Sequence, residues 1–172
     1  MHNTVKNIIA AYKVDLKAQT KKYTAKGDSN SKNLIQRDLF AIKMLETMPE
    51  NVTLYGDGTQ SADKMNIGII GELMLQYASA EKKPTEVYKS GADFDIIYKG
   101  VKYEVKTCIN GSCYNTKAQR YEYDLILINT FGIFLIDKTQ IASFENKRGI
   151  LPHKEVDGLK HFTELENLIK LF

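Results

Sequence analysis

A chain of 172 residues, 43% hydrophobic and 26% charged, is long enough to bury one real core and too short for several, so a single domain spanning residues 1–172 is expected. No apolar run approaches about 18 residues, and the start (MHNTVKNIIAAYK) lacks the long apolar stretch of a signal peptide; membrane-spanning and secreted classes are set aside in favour of a cytoplasmic protein, bacterial or phage-like. The net charge of +3 is unevenly spread, with eight Lys/Arg against Asp15 and Asp28 in Met1–Arg37 and five more against Glu104 alone in Lys99–Arg120, an asymmetry that suits a polyanion such as nucleic acid.

From Asn3 to Tyr23, Val5, Ile8, Ile9, Tyr12 and Leu16 recur at helical spacing, with Asn3 or Thr4 as N-cap and lysines opposite. Lys21–Lys32 reads as a polar loop and Leu34–Met48 as a second helix stopped by Pro49, so residues 1–50 form a helical N-terminal arm that packs on the core, mediates a dimer contact or lays lysines on a phosphate backbone. Asn51–Asp63 is turn-rich and reads as a linker; its Gly56-Asp57-Gly58 is not a P-loop. Lys64–Ala80 reads as a helix apolar nearly all round, thinned on one side by Gly68 and Gly71. Its exception is Glu72, which needs a lysine, water or metal partner to offset desolvation.

Glu86–Ser90 follows as a short strand, and Ser90–Thr107 is the informative stretch. Residue types alternate from Asp93 to Lys106 around Lys99-Gly100, a dipeptide suited to a two-residue hairpin turn. One face then carries Phe94, Ile96, Tyr98, Val101, Tyr103 and Val105 toward the core. The other carries Asp93, Asp95, Ile97, Lys102, Glu104 and Lys106, with Asp95 opposite Glu104 and Cβ atoms roughly 5 Å apart. Two bare carboxylates at that separation repel by about 3 kcal/mol at an effective dielectric near 20, so the pair calls for a divalent cation, a lysine or a shared proton.

The following segment, Cys108–Arg120, is polar and basic, and its Asn110, Ser112, Asn115, Lys117, Gln119 and Arg120 are candidate nucleic-acid contacts, since Asn and Gln read adenine edges while Lys and Arg hold phosphate or guanine. Cys108 and Cys113 make one isolated C-x4-C pair, too little for structural zinc. Tyr123–Thr130 and Gly132–Asp137 read as buried strands of a mixed sheet, Lys138–Phe144 as a short helix, Glu145–Gly158 as irregular. Thr163–Phe172 closes the chain as a helix with Thr163 and Glu166 in capping-box spacing and Leu165, Leu168, Ile169 and Phe172 inward.

Three Glu-x-Lys triplets occur, Glu81/Lys83, Glu104/Lys106 and Glu145/Lys147, but only the second sits on an alternating strand with acids on its partner and a basic loop behind it. Through Asp95 (or Asp93), Glu104-Val105-Lys106 and the helix bearing Glu72, residues 64–137 resemble the PD-(D/E)xK nuclease superfamily, the restriction-endonuclease-like fold. The family's leading proline is replaced by Phe94, so Asp93 and Asp95 both fit the first acid, and Asp95 is favoured because a two-residue turn sets it opposite Glu104. The resemblance implies an α/β (α+β) domain with an αβββαβ core, in which a mixed central sheet is flanked by helices, 64–137 is the catalytic part and 138–172 a helical cover. It further implies that Asp95 and Glu104, with the Val105 carbonyl, ligate Mg2+ (Mn2+ as substitute), that Lys106 orients or helps deprotonate the attacking water, and that Glu72 reaches the ion through water, with Asp93 as alternate. The expected activity is Mg2+-dependent hydrolysis of DNA phosphodiesters by a homodimeric restriction-type, phage or plasmid endonuclease. A Holliday-junction or other structure-specific endonuclease and a catalytically silent nucleic-acid-binding protein on the same fold are the alternatives.

Overall fold

The computed structural model of the chain describes residues 3–56, 65–109, 122–144 and 157–171. Helix α1 (Val5–Lys26) starts where Thr4 Oγ1 accepts the Asn7 N–H. It ends in a left-handed Gly27 whose N–H returns to the Tyr23 carbonyl at 2.7 Å. Asp28 at once caps α2 (Ser29–Leu45), its carboxylate accepting the Asn30 and Ser31 N–H groups. The polar loop expected over Lys21–Lys32 is therefore two residues long: lysine and alanine are good helix formers, and a Gly-Asp pair suffices to stop one helix and start the next.

The linker expected from Asn51 contains a strand, β1 (Thr53–Tyr55), with Val52 and Leu54 buried. It runs parallel to β2 (Glu86–Tyr88) after a crossover through α3 (Ile67–Ser79). Glu86–Tyr88 is thus a strand as expected, but its partner is β1 in a separate two-stranded sheet.

The main sheet has five strands in the order β3 (Ile96–Tyr98), β4 (Val101–Thr107), β5 (Asp124–Asn129), β6 (Gly132–Ile136) and β7 (Lys160–His161). Only β4 and β5 are parallel, so the sheet is mixed. Ile96, Tyr103, Val105, Ile126, Ile128 and Ile133 turn one face toward α3 and α5 (Thr163–Ile169), in a core shared with Val5, Ile8, Tyr12 and Phe40 of the first two helices. Leu125, Leu127, Phe134 and Ile136 turn the other toward Cys108 and Ile141 of the short α4 (Ile141–Phe144). The capping box expected at Thr163 does not form. Thr163 is already helical, and Glu166 instead accepts the Ile133 N–H at 2.8 Å, tying α5 to β6. Leu165 and Ile169 point inward, whereas Leu168 is half exposed and Leu171 is buried in its place. Phe172 lies outside the described residues.

Gly71 lets α3 lie close on β4. A Cβ there would collide with Thr107 Oγ1 and come within 3.1 Å of the Ile128 side chain. Gly71→Ala is expected to lower stability by about 1–3 kcal/mol through overpacking, read as a lowered thermal midpoint by circular dichroism.

Candidate functional site

The hairpin turn is the two-residue one. Lys99 and Gly100 both have positive φ, at 50° and 78°, as a type I′ turn requires. The register pairs Tyr98 with Val101, Ile97 with Lys102 and Ile96 with Tyr103. β3 begins at Ile96, and Asp95 just before it takes over the edge of β4. Its N–H donates to the Tyr103 carbonyl at 3.0 Å, and its Oδ2 accepts the Val105 N–H at 2.7 Å, where another strand residue would have supplied a carbonyl. Its own carbonyl accepts from Gln76 Nε2 of α3 at 2.9 Å. These bonds fix Asp95 between β4 and α3.

This local shift ends the alternation expected upstream. Phe94 is half-buried and stands edge-on to Tyr123 at 6.0 Å with the Lys102 ammonium over its ring, on the side away from Ile96 and Tyr103. Val101, expected inside, is 44% exposed beside the turn. Asp93 is exposed, and Asp95 is the acid that acts chiefly on the buried carboxyls of Glu72 and Glu104.

Glu104 and Lys106 stand in register with Leu125 and Leu127 and share the sheet face opposite α3. Glu104 is nearly buried and ion-paired with Lys106. Burial pushes the Glu104 carboxyl above its ordinary range; Lys106 pulls it back and Asp95 adds to the rise. Successive strand carbonyls point to alternate neighbours, so Tyr103 and Val105 both direct theirs toward β3. The Tyr103 carbonyl has Asp95. The Val105 carbonyl faces the edge where β3 has ended, and its described partner is Lys106 Nζ at 3.3 Å.

Glu72 lies on α3, across the sheet from Glu104 and Lys106, and is coupled to that pair through Asp95, Lys89 and Lys106, which act on it electrostatically. It is 8% exposed, and its carboxyl is pushed up to about 7, first by burial and then by Asp95, against the opposing pull of Lys89 and Lys106. Lys89 Nζ stands 3.5 Å from Glu72 Oε2, an ion pair too long for a good hydrogen bond, and Oε2 has no hydrogen-bond donor among the described residues. Asp95 thus raises both buried carboxyls, and Lys89 and Lys106 lower both. Lys89 is the member that the sequence reading missed. Val87 is buried, so period two puts residue 89 on the inner side of its strand, the signal that could have named it.

No protein family, curated protein or solved structure matches this chain. Among the described residues no three His, Cys, Asp or Glu side chains form a metal-holding group by themselves. A magnesium ion does not need one: it binds through one or two carboxylates and keeps several waters. Among the described residues the donor set fits such an ion, because buried Glu72 Oε2 has only the long Lys89 ion pair, Asp95 commits only Oδ2, and the Val105 carbonyl opens to the edge where β3 has ended. Asn110, Ser112, Asn115, Lys117, Gln119 and Arg120, the candidate nucleic-acid contacts, lie outside the described residues, as does Cys113. No helix among the described residues is long and apolar enough to cross a membrane.

Proposed function

We propose that this chain is a Mg2+-dependent DNA endonuclease of restriction-endonuclease-like fold. The carrying observation is Asp95 seated on the Val105 amide, beside a buried Glu104–Lys106 pair and a buried Glu72 that resists ionisation. The element order supports the reading: α3, a hairpin bearing both acids and the lysine, then a strand parallel to its second arm.

Asp95, Glu104 and the Val105 carbonyl would hold the ion, with Glu72 reaching it through water. When bound, Mg2+ supplies a hard positive charge that acidifies water and offsets charge on the phosphodiester. Lys106, held between Glu104 and the Val105 carbonyl, orients or helps deprotonate the attacking water. The water oxygen bonds to phosphorus and its proton passes to solvent, one ester P–O bond breaks, and the departing oxygen is protonated from solvent.

The test is incubation of supercoiled plasmid and of a synthetic four-way junction with the protein in Mg2+, Mn2+ or EDTA. Cutting that needs the metal is expected, with discrete fragments marking a restriction-type enzyme and selective junction cutting a structure-specific one. Plasmid and junction both intact in Mg2+ and in Mn2+ would overturn the proposal.

A further inference from the structure

Beyond Tyr12 the α1–α2 hairpin leaves the core. Every residue from Thr20 to Asn30 is exposed, and between Lys13 and Arg37 only Gln19 and Ser31 are buried. These two meet across the helices, Ser31 Oγ lying 3.3 Å from Gln19 Oε1 while it donates to the α2 cap, Asp28 Oδ2, at 2.8 Å. The described chain runs out and back as two capped helices, so its lysines are fixed on a rigid frame.

Lys13, Lys17, Lys21, Lys22, Lys26 and Lys32 are all exposed on this stretch, against Asp15 and Asp28. The Ser31 hydroxyl and then the capped Asn30 amide hold the Asp28 carboxyl below its usual range, and Asp15 accepts from Gln19. Lys13, Lys17 and Lys21 follow one another at four-residue intervals, about 6 Å apart along the helix axis, as do Lys22 and Lys26. No acid lies three or four positions from any of the five on α1. Like charges at that spacing cost the helix a few tenths of a kcal/mol per pair, whereas a merely solvated face gains by interleaving glutamates. A lipid surface would want an apolar face to insert, and the projecting part offers only Val14 and Tyr23 as exposed large apolar side chains.

We propose that the α1–α2 hairpin is a sequence-independent arm that lies along the phosphate backbone of a DNA duplex. The identity of the polyanion rests on the nuclease reading; the arm's role in binding does not need cleavage. The test is anisotropy titration of a labelled DNA duplex in EDTA, over a range of salt, with the full chain carrying Lys13→Gln, Lys17→Gln and Lys21→Gln together. Glutamine keeps the helix, and circular dichroism checks that it has. Affinity is expected to fall about tenfold or more, and the slope of log K against log salt to become shallower by up to about 3, roughly one for each phosphate no longer neutralised. The same net charge removed elsewhere, by Lys82→Gln, Lys138→Gln and Lys170→Gln, should change affinity less than about twofold. Equal losses in both triple variants, no loss in the arm variant, or no duplex binding by the unmodified protein would each overturn the proposal. So would phosphatidylserine-vesicle binding that the arm variant loses while its duplex binding stays intact. Duplex binding that depends on the arm, together with plasmid and four-way junction both left uncut in Mg2+ and in Mn2+, upholds the arm and removes the nuclease reading.

Discussion

Lys106→Ala should lower Mg2+-dependent plasmid cleavage by about a thousandfold while leaving duplex binding in EDTA within a few-fold of the unmodified protein. Lys106 is the cation bonded to both Glu104 and the Val105 carbonyl, so its removal takes away the group placed to orient the attacking water. Glu104 would remain buried without its ion partner, a loss that in a buried pair commonly costs about 3–5 kcal/mol. Burial already pushes the Glu104 carboxyl up, and without Lys106 it rises further and takes a proton instead. The destabilisation should therefore be larger at pH 8 than at pH 5, and assays belong near the lower end, where the variant is folded. Glu104→Gln with Lys106→Ala removes the stranded charge, and its near-normal melting with absent cleavage would separate chemistry from folding. Lys106→Arg should not restore the rate, because a planar guanidinium cannot occupy the site of a compact ammonium. Cleavage by Lys106→Ala at the unmodified rate, in protein shown to be folded, would remove Lys106 from the chemistry.

The hairpin is legible in the sequence because three local signals agree. Alternation runs from Ile96 to Lys106, Gly100 tolerates a positive φ, and the register follows from the turn. Legibility stops at Asp95, whose amide bonds to Tyr103 while its carboxylate replaces a strand rung at Val105; nothing in the residue types announces that exchange, and Phe94 lies on the opposite face from the one that alternation implies. Buried β5 can be read from its apolar run, but β1 cannot, since three residues beside a turn-rich segment show no period. The separate pairing of β2 with β1 is a tertiary fact. At the N-terminus the rule that polar lysine-rich segments are loops loses to helix propensity and to the caps at Gly27 and Asp28. Glu166 gives up its cap role to the Ile133 amide, a partner 33 positions away. In the site, the demand that Glu72 have a partner is clear from its apolar surroundings, but the identity of that partner, Lys89, depends on how β2 packs against α3.

Glu72→Gln is expected to stabilise the protein at pH 8 while impairing Mg2+-dependent cleavage. The folded-state carboxyl of Glu72 is raised from 4.5 to about 7, chiefly by burial. A carboxyl shifted upward favours the fold fully below about pH 4.5, where it is protonated in both states, and loses that advantage as pH rises through about 7 and the ionised form must stay buried. The shift corresponds to a penalty on the order of 3 kcal/mol above pH 7 that a neutral amide of the same shape avoids. The thermal midpoints of the two proteins should therefore coincide near pH 4, diverge between about pH 4.5 and 7 and stay apart to pH 8, with the glutamine variant higher. Lys89→Ala should move the unmodified protein further in the same unfavourable direction, because Lys89 is the first of the two cations opposing the shift. Equal midpoints at pH 8, or a variant that melts lower there, would mean that Glu72 is a satisfied structural ion and would take away its place in the site. A residue that weakens the fold wherever it is ionised must be justified by what it binds. A stabilised variant that no longer cuts would show Glu72 to be part of the machinery and not of the scaffold.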